Sequence, residues 1–165
     1  MEAFNASKTP IQFIQVSFPL FRCDGYASTH NVMNNIWTQI GNEINDGLLW
    51  PTGRISVNGF TGVSKLLYAG ALAVRKASPS TKTLIHLTNG WDKVGISYFY
   101  SGIFGVGETA KGQGGFLTLS DVDVMGFTFY PFYGTAATFE NLNSSMNHTV
   151  STYKKVGGII KQLAG

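Results

Sequence analysis

A chain of 165 residues, 44% hydrophobic and 13% aromatic, is enough for one packed domain. It is short of a closed eight-unit α/β barrel, which takes about 250 residues. Twelve Lys and Arg against nine Asp and Glu leave a net charge of +3, too slight and too scattered for a nucleic-acid footprint. The single cysteine, Cys23, excludes an intrachain disulfide and reads as a buried or idle thiol, because no Cys-His arrangement accompanies it.

In chain order, the apolar stretch from Ile11 to Phe21 reads as a strand. It lacks the small-residue cleavage site of a leader peptide and is too short to span a bilayer. His30 to Trp37 reads as a short helix running almost directly into a strand at Trp37 to Ile40. From there, short apolar runs alternate with segments of helical period, the pattern of βα units on a parallel sheet. Val63, Leu66, Leu67, Gly70, Ala71 and Val74 recur at helical spacing until Pro79. Thr83 to Leu87 is the next strand. Asp92 can cap a helix to about Phe104, and Gly105, Gly107, Gly112, Gly114 and Gly115 mark the loop that follows. The run Gly105 to Ala110 fits G-x-G-x-x-A, but it follows a helix instead of a strand, which disfavours a dinucleotide site. Asp123 to Phe129 is a third strand. Thr138 can cap a last helix with Leu142, Met146, Val150 and Tyr153 on one face, ended by Gly157-Gly158. The fold class is α/β, about three βα units, with Trp37–Ile40, Thr83–Leu87 and Asp123–Phe129 as parallel neighbours.

The chemistry concentrates where the first of these strands ends, in Gly41-Asn42-Glu43-Ile44-Asn45-Asp46-Gly47-Leu48-Leu49-Trp50-Pro51-Thr52-Gly53. A carboxyl leaving a strand end among apolar and aromatic neighbours can be partly desolvated, which favours its protonated form and suits a general acid. Glu43 is that candidate. Alone, the Asn-Glu pair reads more readily as a solvated loop pair or a helix cap than as a catalytic pair; the thirteen-residue context reverses that. Two further blocks accompany it: Ile85-His86-Leu87-Thr88-Asn89-Gly90-Trp91-Asp92, and Asp121 through Tyr133 with its strand running into Tyr130-Pro131.

Together these three blocks resemble the arabinogalactan endo-β-1,4-galactanases, glycoside hydrolase family 53 of clan A, over roughly residues 30 to 155. The resemblance implies a partial (β/α)8 TIM barrel, here a single fragment of that domain over 1–165, incomplete at both ends. It implies endo-hydrolysis of β-1,4-galactan by a retaining mechanism, with Glu43 as acid/base and Asn42 bonding the sugar 2-hydroxyl. His86, Asn89, Trp91 and Tyr130 are the remaining substrate-binding candidates. His86 reads otherwise as a hydrogen-bonded core residue, and Trp50 and Tyr133 read as either sugar-stacking rings or packed loop anchors. The family pattern His-Leu-Asp-Asn-Gly-Trp has Thr88 in place of its Asp. No cofactor and no metal site is expected; the expected partner is the polysaccharide, with no nucleic acid, no membrane and no second subunit. The resemblance points to an extracellular location, which the sequons at Asn5, Asn143 and Asn147 suit.

A retaining glycosidase needs a second carboxyl as nucleophile. No acidic residue ends a strand after Tyr153, where the resemblance would place it. Asp92 reads as a cap, and Asp121 and Asp123 sit at the strand's opposite end. The chain alone is therefore expected to be impaired, and a non-catalytic carbohydrate-binding or inert remnant is the rival reading.

Overall fold

The computed structural model describes residues 14–15, 37–106, 114–132 and 134–159. Cys23, the helix expected from His30, most of the glycine-rich loop and Tyr133 lie outside them. Four strands run parallel in chain order: β2 (Trp37–Ile40), β5 (Lys82–Leu87), β6 (Val124–Phe127) and β7 (Val156–Ile159). Successive strands are joined through helices α2 (Phe60–Ala77), α3 (Lys93–Phe104) and α4 (Phe139–Tyr153). This is an arc of a (β/α)8 TIM barrel: three βα units and the strand that begins a fourth. The expected parallel neighbours are in place, in the register Gln39, Leu84, Val124 and then Ile40, Ile85, Met125. A two-residue strand β1 (Ile14–Gln15), inside the stretch read as a strand, adds antiparallel to β2.

The two faces of the sheet follow from the period of two along each strand. Ile40, Ile85, Leu87, Met125 and Phe127 point to the helices and join one core with Val63, Leu67, Ala71 and Val74 of α2, Ile96, Phe99, Tyr100 and Ile103 of α3, and Tyr153 of α4. The alternate residues Gln39, His86 and Thr128 are buried as well, and all three are polar. They share the helix-free side of the sheet with the apolar Leu84 and Val124, and the polar residues gather toward the C-terminal edge, where a site needs them and a core does not. Phe127 is fully buried with its ring edge-on to Tyr100 at 6.2 Å. Phe127→Ala should cost about 3–5 kcal/mol by chemical denaturation; a loss below about 1 kcal/mol would mean this core is not packed as described.

Caps end the elements largely as the sequence implies. Asp92 accepts from the Gly95 N–H at 2.9 Å and Thr138 from the Asn141 N–H at 3.1 Å. One stop differs. Helix α4 ends at Tyr153, where Lys154 takes the left-handed conformation (φ 55) and its N–H bonds Val150. Gly157-Gly158, expected to end the helix, lie instead within β7. The connection from β2 also carries more structure than a loop: β3 (Gly47–Leu48) and β4 (Gly53–Arg54) pair antiparallel, followed by a single turn of helix, α1 (Ile55–Asn58).

At the opposite end of the sheet, Asp121 and Asp123 hold strands to loops, as expected. Burial alone would raise the Asp121 carboxyl, but bonds from Thr118 and Arg75 outweigh it and hold it below the usual range. Asp123 is lowered in the same way against its burial, by the Thr83 N–H and Lys82.

Candidate active site

Where β2 ends, Gly41 adopts φ 82, a conformation a side chain strains, and turns the chain sharply. Glu43 follows with φ 52, also left-handed, which costs a non-glycine residue about 1 kcal/mol or more. The Ile44 N–H then bonds the His86 carbonyl at 3.1 Å and pins this turn to β5. Together these constraints put Asn42 and Glu43 at the C-terminal edge of the parallel sheet, the edge on which barrel enzymes carry their chemistry.

Three strands meet at this turn through side chains. The Thr128 hydroxyl, just beyond β6, donates to Glu43 Oε1 at 2.7 Å, and His86 Nε2 lies 2.7 Å from the same hydroxyl oxygen. His86 Nδ1 lies 3.3 Å from Gln39 Nε2 and 3.2 Å from Asn42 Oδ1. Gln39 Nε2 donates to the Gly41 carbonyl at 2.9 Å and to Asn42 Oδ1 at 3.3 Å. The Asn42 carboxamide oxygen is thus turned inward, which leaves its NH2 to donate outward. Sequence reasoning picked out Asn42, Glu43 and His86, and the structure joins all three. It did not pick out Gln39 and Thr128, which tie them together.

Glu43 is exposed, so the partial desolvation expected of it is absent: the apolar residues near it in sequence turn away from it, Ile44 into the core and Trp50 out to solvent. His86 is 1% exposed and both ring nitrogens face protein atoms, so its reach to any ligand runs through Asn42 or Thr128. Burial pushes its pKa below the usual histidine value, and the charge of Glu43 offsets that only in part. A depressed histidine pKa gives a definite sign. Above about pH 6.5 folded and unfolded chains are both neutral at this site; as pH falls through that value, the unfolded chain takes a proton that the folded one refuses, and stability is lost. Denaturation midpoints should therefore fall more steeply between pH 7 and 5 in the native sequence than in His86→Gln. Parallel profiles would show that His86 titrates normally.

The other candidates divide. Asn89 is exposed with φ 54, and the neighbouring Gly90 N–H bonds the Thr128 carbonyl at 2.8 Å. A side chain at Gly90 would meet Phe127 Cβ at 2.9 Å, so only glycine lets this loop lie so close to β6. Trp91 is half-buried against the small cluster of Phe129, Ala137 and Leu142. Tyr130 is half-buried, its ring 5.6 Å from Phe132. Thr88 gives its N–H to Asn45 Oδ1 at 2.8 Å. Trp50 is 56% exposed, with its indole N–H on the Asp46 carbonyl and Arg54 over one face at 4.1 Å. Asp46 is bound to Arg54 and Ser56, which lower its pKa against the effect of burial. Among the described residues no group of three metal-ligating side chains occurs, and no helix is long and apolar enough to cross a membrane.

An arc of parallel βα units with an Asn-Glu pair at its C-terminal edge is the arrangement that the resemblance to the barrel glycosidases implies. Residues 27–160 match glycosyl hydrolase family 53. An arabinogalactan endo-β-1,4-galactanase of Thermothelomyces thermophilus is 38% identical over 124 residues, covering 74% of this chain and 34% of the relative. The arabinogalactan endo-β-1,4-galactanase A of Aspergillus niger is 40% identical over 118 residues, covering 70% of this chain and 31% of the relative. A solved structure of a fungal β-1,4-galactanase superposes with a TM-score of 0.63 at 36% identity, over 74% of this chain and 34% of that one. The chain belongs to glycosyl hydrolase family 53. It spans about a third of the length of the curated relatives it matches.

Proposed function

We propose that this chain carries the acid/base half of a retaining endo-β-1,4-galactanase site acting on arabinogalactan and pectic galactan. The observation that carries the reading is Glu43, set beside Asn42 at the sheet's C-terminal edge and held from β6 by the Thr128 hydroxyl. In the first step Glu43 gives its proton to the glycosidic oxygen as the C–O bond breaks, while a second carboxylate bonds the anomeric carbon. In the second step the Glu43 carboxylate takes a proton from the water that releases the sugar and so regains its starting form. Asn42 donates its outward NH2 to a sugar hydroxyl, and Asn89, Trp91 and Tyr130 border the same edge as further substrate contacts. His86 supports Asn42 and Glu43 from behind, at Asn42 Oδ1 and through the Thr128 hydroxyl. The partner is a polysaccharide, the protein acts as a monomer without a cofactor, and its place is extracellular, where the chain would be a glycoprotein.

Release of reducing ends from debranched galactan by a family-length version of the chain tests the reading, with Glu43→Gln as the control. Loss of turnover in the control is the expected result, and its retention would overturn the assignment of Glu43.

A further inference from the structure

We infer that Thr128 is the positioning residue of Glu43, and that Gln39 and His86 direct its hydroxyl hydrogen so that Glu43 Oε1 always receives a donor and Oε2 alone carries the transferable proton. The direction follows from the donors and acceptors, step by step. The Gly41 carbonyl can only accept, so the Gln39 side-chain atom 2.9 Å from it is the amide nitrogen. Its second hydrogen is within reach of both Asn42 Oδ1 and His86 Nδ1, each 3.3 Å away, and Nδ1 itself lies 3.2 Å from Asn42 Oδ1, so it is the carboxylate that decides the ring: ionised Glu43 Oε1 can only accept and takes the one hydrogen of Thr128, which makes Nε2 the donor to Oγ1 and leaves Nδ1 as the lone-pair nitrogen facing Gln39. The imidazole is neutral because its burial disfavours the charge. Nε2–H then donates to Thr128 Oγ1 at 2.7 Å, and that hydroxyl gives its one hydrogen to Glu43 Oε1, also at 2.7 Å.

The inference rests on the reading of Glu43 as acid/base and adds what that role requires. Glu43 is exposed and long, so without a tether it would sample many rotamers. Thr128 is 1% exposed and fixed next to β6, which gives the tether a rigid base. A hydroxyl aimed at Oε1 is a stronger partner for the carboxylate than for the acid, so the bond tightens as Glu43 releases its proton to the leaving oxygen. An Oε1 already receiving a donor is the poorer place for the acid's own hydrogen. The proton therefore sits on Oε2.

Nitrogen NMR of the imidazoles in the purified 165-residue chain tests this without turnover. Neutral His86 should be in the Nε2–H tautomer, and the two Glu43 Hγ protons should have separate shifts because the side chain is held. Thr128→Ser should keep both signatures. Thr128→Val removes the acceptor and the donor together, so His86 should move to the Nδ1–H tautomer, facing Asn42 Oδ1, and the Glu43 Hγ shifts should merge. An Nδ1–H tautomer in the native sequence would overturn the inference without any variant, and so would unchanged Glu43 signals in Thr128→Val. These outcomes stand apart from the assignment of Glu43 itself: a positioned Glu43 whose exchange for Gln leaves galactan turnover intact would sink the function and leave the positioning in place.

Discussion

In a family-length version of this chain, Glu43→Gln is expected to lower turnover on debranched β-1,4-galactan by at least about a hundredfold, the usual worth of positioned general acid help. The substitution is informative because it preserves the local geometry. The Gln carbonyl oxygen can still accept from the Thr128 hydroxyl in the place of Oε1, and the backbone at position 43 keeps its turn. What is lost is only the proton. KM should therefore change little while kcat falls, the pattern of an interaction made in the transition state alone. A substrate with a good leaving group needs less protonation, so its loss in the first step should be smaller. Turnover like that of the native sequence would show that Glu43 is not the acid, however well it is placed.

The strands β2, β5 and β6 and the helices α2, α3 and α4 were legible because their apolar period shows, whereas β7, four residues with two glycines, was not read as a strand. The six residues of β5 and the eighteen of α2 repeat their pattern several times. The hairpin of β3 and β4 was not, since two-residue strands complete no period. Gly157-Gly158 was read as a helix stop because glycine is the usual left-handed residue after a helix. Lys154 takes that conformation instead, three residues earlier, and the glycines are free to enter β7.

The site was legible only in part, and for a physical reason. Asn42 and Glu43 sit in a contiguous run whose order carries a family resemblance, so a single stretch of sequence reveals them. Gln39 and Thr128 belong to the same network but to different strands, and what joins them to His86 is register between segments more than forty residues apart. A buried Gln in a four-residue strand and a Thr two positions beyond a strand glycine were visible as polar residues on one alternating face. Nothing local says that those faces coincide. The same lack of register left the exposure of Glu43 unread, because which neighbours cover a side chain at a strand end is decided by the next strands, not by the next residues.

The 165-residue chain by itself is expected to release no reducing ends from galactan above background, even at high enzyme concentration. Retaining chemistry needs a nucleophile about 5–5.5 Å from the acid, and the described carboxylates other than Glu43 are committed elsewhere. Asp46 is bound by Arg54 and Ser56, Asp92 caps α3, Asp121 and Asp123 bind Arg75 and Thr83 at the opposite end of the sheet, and Glu140 lies in the first turn of α4. Without a group among the described residues to bond the anomeric carbon, protonation of the leaving oxygen by Glu43 leaves an oxocarbenium-like transition state unsupported on its other face. Addition of azide, a small external nucleophile, should then give measurable glycosyl azide from an activated galactoside, and Glu43→Gln should change that rate little when the leaving group needs no proton. Robust hydrolysis of galactan by the unaided chain, abolished in Glu43→Gln, would overturn this account. Asp46→Asn and Asp92→Asn, the carboxylates nearest to Glu43 in the described sequence, would then identify which one had left its present partners to attack the sugar.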